Sequence, residues 1–256
     1  MQIQQQSTIR LICYTVINII LVYYIAVLCH EYGHSVTAWL FGYKSHPFDI
    51  IYGSWYLIPA SENVDFNAIY ASGHPYQSGL IGIAGIFTNI VLFLICLCFL
   101  NQKYILKKPY FINFFFFLAA INLIEILAYI PNRTFTGTNG DVSHTGGDIG
   151  EFLHGFNLSP FWIFIPGIIL VTLALYRFYQ FELKKVYSLI PNKNLFFKRI
   201  TLWLTFWPLI MFVVYWIPPA EYISLSYASN FYSIILVVYI LIACDPSRLN
   251  SQKRGL

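Results

Sequence analysis

Residues 11–34 read LICYTVINIILVYYIAVLCHEYGH, a long apolar run that ends in two histidines and a glutamate. A helix needs about 20 mostly apolar residues to cross a bilayer, and this run is long enough. Ionisable side chains are costly in hydrocarbon, so His30, Glu31 and His34 indicate a functional site in or beside the membrane. The stretch therefore predicts a membrane-spanning helix with reactive groups near one end.

The composition extends this prediction to the whole chain. Of its 256 residues, 58% are hydrophobic and only 10% are charged, whereas a soluble domain has about 25% charged residues. These values are typical of a multi-pass protein embedded in a lipid bilayer. No basic run is interleaved with exposed aromatic residues, which argues against a nucleic-acid partner. The five cysteines are odd in number, which is not typical of a disulfide framework.

We predict an all-α membrane protein of about six transmembrane helices. The apolar runs that define them cover residues 11–41, 79–100, 110–130, 160–176, 200–217 and 227–243. Between the first two spans, residues 43–78 hold short alternating stretches and the sequence Gly53-Ser54-Trp55-Tyr56. This segment predicts a small β-hairpin or a re-entrant loop.

The lysines and arginines are distributed unequally between the two sides of these spans. With six spans, all of the 15 basic residues except Lys44 and Arg133 fall on one side. Loops rich in Lys and Arg stay in the cytoplasm, so both termini are predicted to be cytoplasmic. Segments 43–78, 131–159 and 218–226 are then predicted to lie outside, and the small loops suit a bacterial cytoplasmic membrane.

The sequence His30-Glu31-Tyr32-Gly33-His34 fits the pattern HExxH. On a helix, residues four apart share a face, so His30 and His34 can direct both imidazoles at one metal ion. Glu31 can reach a water at that ion and act as a general base. Zn²⁺ suits two imidazoles and one carboxylate with an open fourth position.

A third ligand must come from the few acidic residues predicted on the same side. Asp148 lies among glycines in Thr145-Gly146-Gly147-Asp148-Ile149-Gly150, and glycine allows a backbone to approach a metal site closely. Asp141 follows a glycine in a similar setting, Asn139-Gly140-Asp141. The residues leave both aspartates open as the third ligand.

These motifs resemble the site-2 protease family of intramembrane zinc metalloproteases. The HExGH form of the zinc motif is one likeness, and Ala84-Gly85-Ile86-Phe87-Thr88-Asn89 looks like the family's Ala-Gly-Pro-x-x-Asn segment, with Ile86 in place of the proline. Asn122, Pro131 and Asp148 follow the order of its Asn, Pro and Asp-Gly residues. The resemblance covers roughly residues 20–150 and implies His30, His34 and Asp148 as zinc ligands, with Glu31 as base.

We therefore expect a catalytic membrane core in residues 1–159 and an additional three-helix segment of unknown role in residues 160–256. The expected activity is hydrolysis of peptide bonds in or near transmembrane segments of a membrane-protein or peptide substrate. Asn89, Asn122 and Glu125 are expected to bind substrate or to support the ligands, since Asn122 and Glu125 share a helix face. The alternatives are an inactive protein that binds a partner, and a proton or metal-ion transporter that uses Glu31 and Glu125.

Overall fold

The computed structural model describes residues 2–54, 60–135, 147–191, 194–208 and 223–248, with side chains from Arg10 in the first range and from Tyr227 in the last. The α-helices are α1 (Gln2–Leu40), α2 (Phe66–Ala71), α3 (Pro75–Leu100), α4 (Pro109–Leu127), α5 (Gly147–Gly155), α6 (Phe161–Leu189), α7 (Leu195–Leu204) and α8 (Ile223–Ala243). A short 3₁₀ turn (Ile105–Lys107) precedes α4, and a π-helical turn (Ala128–Asn132) follows it.

Five of the described helices are long and apolar enough to cross a membrane, as expected of a multi-pass membrane protein. They cover Arg10–Leu40, Pro75–Leu100, Pro109–Asn132, Phe161–Leu189 and Tyr227–Arg248. These spans correspond to five of the six predicted ones. The sixth, at 200–217, begins within α7 and runs into residues 209–222, which lie outside the described residues. A count of six therefore stays a prediction.

The segment between α1 and α3 does not confirm a β-hairpin. Its described residues contain one isolated antiparallel bridge, in which Ile51 and Ser61 exchange backbone hydrogen bonds of 2.8 and 2.9 Å, and no strand. Residues 55–59, which lie between these two in the sequence, are outside the described residues. The short helix α2 begins after this bridge, where the Asp65 carboxylate accepts a hydrogen bond from the backbone N–H of Ala68.

Helix α4 lies at the centre of the described helices and is buried over most of its length, from Ile112 onward. Its sequence is apolar almost throughout, and Phe116, Phe117, Ala119, Ile121 and Ile124 are fully buried. It packs against α1, α3 and α6. Since lipid is as apolar as these side chains, close van der Waals packing rather than exclusion from water holds such helices together. This central helix fixes the distances between the elements that form the site.

Several contacts show which helix ends lie together. The Tyr14 hydroxyl donates to the Tyr110 carbonyl at 3.0 Å, which joins the starts of α1 and α4. The Lys185 ammonium donates to the Leu100 carbonyl at 3.0 Å, which joins the ends of α3 and α6. We call this end of the molecule the cationic end, because the described loops and helix ends here contain Arg10, Lys103, Lys107, Lys108, Lys184, Lys185, Lys198 and Arg199.

Helix α5 packs closely across α3, far from the cationic end, because glycines line the contact. A Cβ on Gly82 would lie 2.5 Å from the Cβ of Glu151, and one on Gly155 would lie 2.5 Å from the Pro75 carbonyl oxygen. Neither distance is tolerated between real atoms. The three residues Gly79, Gly82 and Gly155 form what we call the glycine seam, and it sets how far the first turn of α5 reaches into the protein.

Candidate metal centre

The two histidines lie on one face of α1 and are both buried, with 4% and 2% of their surface exposed. The Nδ1 of His34 lies 2.6 Å from the Ile81 carbonyl oxygen on α3. A carbonyl can only accept, so this nitrogen must be the one that carries the proton. The Nε2 of His34 is then left with a free lone pair, as a metal ligand requires.

Asp148 reaches the same point from the first turn of α5. Its Oδ2 lies 2.8 Å from Nε2 of His30 and 3.2 Å from Nε2 of His34, and the two nitrogens are 3.1 Å apart. In a tetrahedral zinc site, ligand atoms at 2.0–2.2 Å from the ion are roughly 3.3 Å from one another. These three groups form one compact donor set that could hold a metal ion.

Gly85 of α3 forms the wall behind the histidines. A Cβ at this position would lie 2.7 Å from Nε2 of His30 and would also collide with Nε2 of His34. Only a residue without a side chain leaves the nitrogen lone pairs accessible. The donor set and the space around it therefore both fit a bound Zn²⁺.

His30 is held from behind by further side chains. Nδ2 of Asn89 lies 3.1 Å from Nδ1 of His30, and the same Nδ2 donates to Oε2 of Glu125 at 2.8 Å. The Tyr129 ring stacks on the imidazole, with centroids 5.0 Å apart and planes 14° apart. Arg133 places its guanidinium 4.8 Å from the centroid of the same tyrosine ring. Asn89, Glu125 and Tyr129 therefore restrict both the position and the tilt of the imidazole.

The other sequence-predicted residues differ in their surroundings. Glu31 is half-buried and interacts electrostatically with His30, His34 and Glu62. Asn122 is fully buried, but its amide donates to the Leu118 carbonyl of its own helix at 2.7 Å. Its expected role at the site stays a prediction. The alternative ligand Asp141 lies outside the described residues.

The two carboxyl groups of α5 are in opposite electrostatic states. Burial alone would raise the pKa of the Asp148 carboxyl, but His34 and His30 hold that pKa well below its ordinary value. One turn further along, burial raises the pKa of Glu151 to about 8, against the effect of the Ser78 hydroxyl, which donates to Oε2 at 3.2 Å. Asp148 is thus an anion facing two imidazoles, whereas Glu151 keeps its proton at neutral pH.

Sequence reasoning missed the roles of Tyr129, Ile81 and Glu151. Tyr129 is one of 20 tyrosines and has no distinctive neighbours in the sequence, and a backbone carbonyl such as that of Ile81 has no sequence signal at all. Gly85 did carry a signal, since it belongs to the stretch that resembles the family segment. No protein-family model, no curated protein and no solved structure matches the chain. The functional proposal therefore rests on the residues themselves.

Proposed function

We propose that this protein is an intramembrane zinc metalloendopeptidase. The observation that supports it is the convergence of His30, His34 and Asp148, whose three ligand atoms all lie within 4.8 Å of one another. Two of them follow from an HExxH motif, and the third comes from a helix 114 residues further along the chain, counted from His34 to Asp148. A purely structural cluster of this composition would have no need of an adjacent glutamate and a glycine wall.

The residues divide the reaction between them. When bound, Zn²⁺ would act as a Lewis acid on the peptide carbonyl and lower the pKa of a water at the site. Glu31 accepts the proton of the attacking water and later delivers it to the leaving amine. His30, His34 and Asp148 would hold the ion, while Asn89, Glu125 and Tyr129 keep the His30 ring in place. Glu31 can act as the base in this way only if its carboxylate is not itself a metal ligand.

The depth of the site supports a substrate whose cleaved bond lies in or near a transmembrane segment. His30 is 20 residues from Arg10 along α1, or roughly 30 Å from the cationic end, which is about the thickness of the hydrocarbon core. With the cationic end in the cytoplasm, the site lies near the outer boundary of the hydrocarbon core. A peptide bond within a helix is shielded by its neighbours, so we expect spans that unwind at Gly or Pro to be cleaved best.

Zinc content and cleavage, measured on the same preparations, test the proposal. We expect about one zinc per chain in the wild type. Glu31→Gln should keep the zinc and lose about 10²–10⁴-fold in the cleavage rate of reconstituted single-span substrates, because only the base is removed. Asp148→Ala should lose both zinc and activity.

Two results would contradict the proposal. If wild-type protein purified without chelators contained no zinc, the proposed metal centre would be wrong. If a zinc-loaded Glu31→Gln variant cleaved as fast as the wild type, Glu31 would not be the catalytic base. Zinc binding with no cleavage of any tested span, by contrast, would favour the alternative of a partner-binding protein.

A further inference from the structure

A groove of about 550 Å³ separates α3 from α6 near the cationic end, well away from the metal centre. Its lining includes Phe93, Leu97, Asn101, Ala174, Arg177 and Lys185. Nothing in the proposed peptidase chemistry uses this space. The lining combines apolar walls with these two cations and the Glu182 carboxylate, and the pairing of these charges determines which ligand fits.

The floor of the groove is aromatic. The Phe178 ring meets the Phe93 ring edge-on at a centroid distance of 5.9 Å and stacks on Phe116 of α4 at 5.2 Å. Phe93 and Leu97 on one side and Ala174 on the other complete an apolar channel between the two helices. A channel of this kind accommodates hydrocarbon chains.

The two cations of the lining differ in how well they are paired. The Lys185 ammonium has three acceptors: the Glu182 carboxylate at 2.6 Å, the Leu100 carbonyl at 3.0 Å and Oδ1 of Asn101 at 2.9 Å. Three acceptors use all three hydrogens of an ammonium group. Lys185 and Glu182 therefore neutralise each other and have little capacity for a ligand.

Arg177 is in the opposite situation. Its guanidinium lies 5.0 Å from the centroid of the Phe181 ring, one turn nearer the cationic end, and no carboxylate of the described residues lies within 4 Å of it. The Lys184 ammonium approaches the same ring at 5.8 Å. An arginine that bends toward the membrane surface in this way presents its five donors at the depth of lipid headgroups.

We propose that this groove binds one anionic phospholipid, with its phosphate on Arg177 and an acyl chain along Phe93, Leu97 and Ala174. The planar guanidinium matches a phosphate with two parallel hydrogen bonds. Lys184 adds a second positive charge beside the headgroup, which disfavours the choline group of a zwitterionic lipid. A free phosphate would leave the apolar channel empty, so the lipid is the better occupant.

Native mass spectrometry of the full-length protein, released from micelles doped with either phosphatidylglycerol or phosphatidylcholine, tests this proposal. We expect the wild type to retain one phosphatidylglycerol in preference to phosphatidylcholine. Arg177→Gln should weaken this binding about tenfold, because a charge-assisted pair is lost. Lys107→Gln removes the same charge from an exposed position at the same end and should leave the binding unchanged.

Further variants separate charge from shape. Ala174→Phe keeps every charge and fills the channel, so it should also weaken lipid retention. Arg177→Lys keeps the charge without the planar pair and should give intermediate retention, which can be read even if Arg177→Gln folds poorly. Equal retention by wild type and Arg177→Gln, equal retention of both lipids, or displacement of the lipid by glycerol phosphate would overturn the proposal. Zinc content should be the same in all these variants, so this test is independent of the proposed peptidase activity.

Discussion

At the residue scale, Gly85 shows how strongly the metal centre depends on one missing side chain. Gly85→Ala places a Cβ 2.7 Å from Nε2 of His30 and against His34. Alanine otherwise favours a helix over glycine by roughly 0.5–1 kcal/mol, so the helix itself should tolerate the change. We expect the zinc content to fall from about one ion per chain to nearly none, measured by elemental analysis of the purified protein.

Gly150→Ala provides the matched control for this experiment. Gly150 lies in α5, two residues after Asp148, and a Cβ there would have no neighbouring atom of the described residues within 4 Å. This variant should keep its zinc. If Gly85→Ala retained a full complement of zinc, the ion could not lie between the two Nε2 atoms, and the proposed ligand arrangement would be wrong.

Asn89 and Asn122 provide a second comparison, because both are fully buried amides in neighbouring spans. Asn89 contacts His30 and Glu125, whereas Asn122 bonds to a carbonyl of its own helix. Residues that orient a metal-bound histidine typically contribute 10–100-fold to metal affinity. We expect Asn89→Ala to weaken zinc binding by about 10–100-fold and Asn122→Ala to change it little, in a competition titration with a chelating dye. A larger loss for Asn122→Ala would contradict the assigned contacts.

The same residues show how much of the site the sequence could predict. His30, Glu31 and His34 are recognisable because their relation is local: helical spacing alone places the two histidines on one face. Asp148 could be proposed from its glycine neighbours, but Asp141 shared that signal, and only the packing of α5 on α3 brings Asp148 to the histidines. The stacking of Tyr129 and the carbonyl of Ile81 arise from tertiary contacts, which leave no local pattern in a sequence.

At the scale of elements, the docking of α5 on α3 makes the stability of the fold depend on pH, because it buries Glu151. The unfolded carboxyl ionises near pH 4.5, whereas burial raises the folded pKa to about 8. Between these values the folded state holds the extra proton, so stability is greatest below pH 4.5 and falls as the pH rises toward 8. We expect the melting temperature of chelator-treated protein to decrease across this window.

Glu151→Gln should remove this dependence, because an amide keeps the Ser78 contact and does not titrate. The exposed carboxylate Asp49 gives the control, since Asp49→Asn should leave the pH profile as steep as in the wild type. A profile of the same slope in Glu151→Gln and wild type would show that another group causes the decrease.

The elements themselves were predictable to different degrees. The long spans followed from apolar length, a signal that bilayer thickness imposes on each helix separately. Helix α6 extends to Leu189, beyond the predicted end at 176, because Tyr179, Leu183 and Val186 continue its buried apolar side among charged residues. The position of the short helix α5 was not predictable in this way, because its fit on α3 depends on the glycine seam, which joins two distant parts of the chain.

At the scale of the whole molecule, the contacts of α8 determine its direction relative to α6. The Tyr187 hydroxyl donates to the Cys244 carbonyl at 3.2 Å, and the Thr172 and Tyr232 hydroxyls also contact each other. The contact that lies further along α6, at Tyr187, is thus also the one that lies further along the chain at α8, at Cys244. The two helices run parallel, and both end at the cationic end.

Two parallel neighbours in a membrane require the chain to cross back between them, which is why we keep the sixth span as a prediction. Helix α7 already runs away from the cationic end. Arg199, near its start, pairs with Asp245 at 2.8 Å at the cationic end. Thr205, just after its end, accepts a hydrogen bond at 2.8 Å from the hydroxyl of Tyr179, which lies two turns before Tyr187 in α6. In a background without native cysteines, Ser188→Cys and Tyr222→Cys should therefore label from opposite sides. With the cationic end in the cytoplasm, a membrane-impermeant maleimide should label the Tyr222→Cys variant in intact cells and the Ser188→Cys variant only after permeabilisation. Labelling of both from one side would mean that residues 190–222 do not cross, and the reverse pattern would place the metal centre toward the cytoplasm.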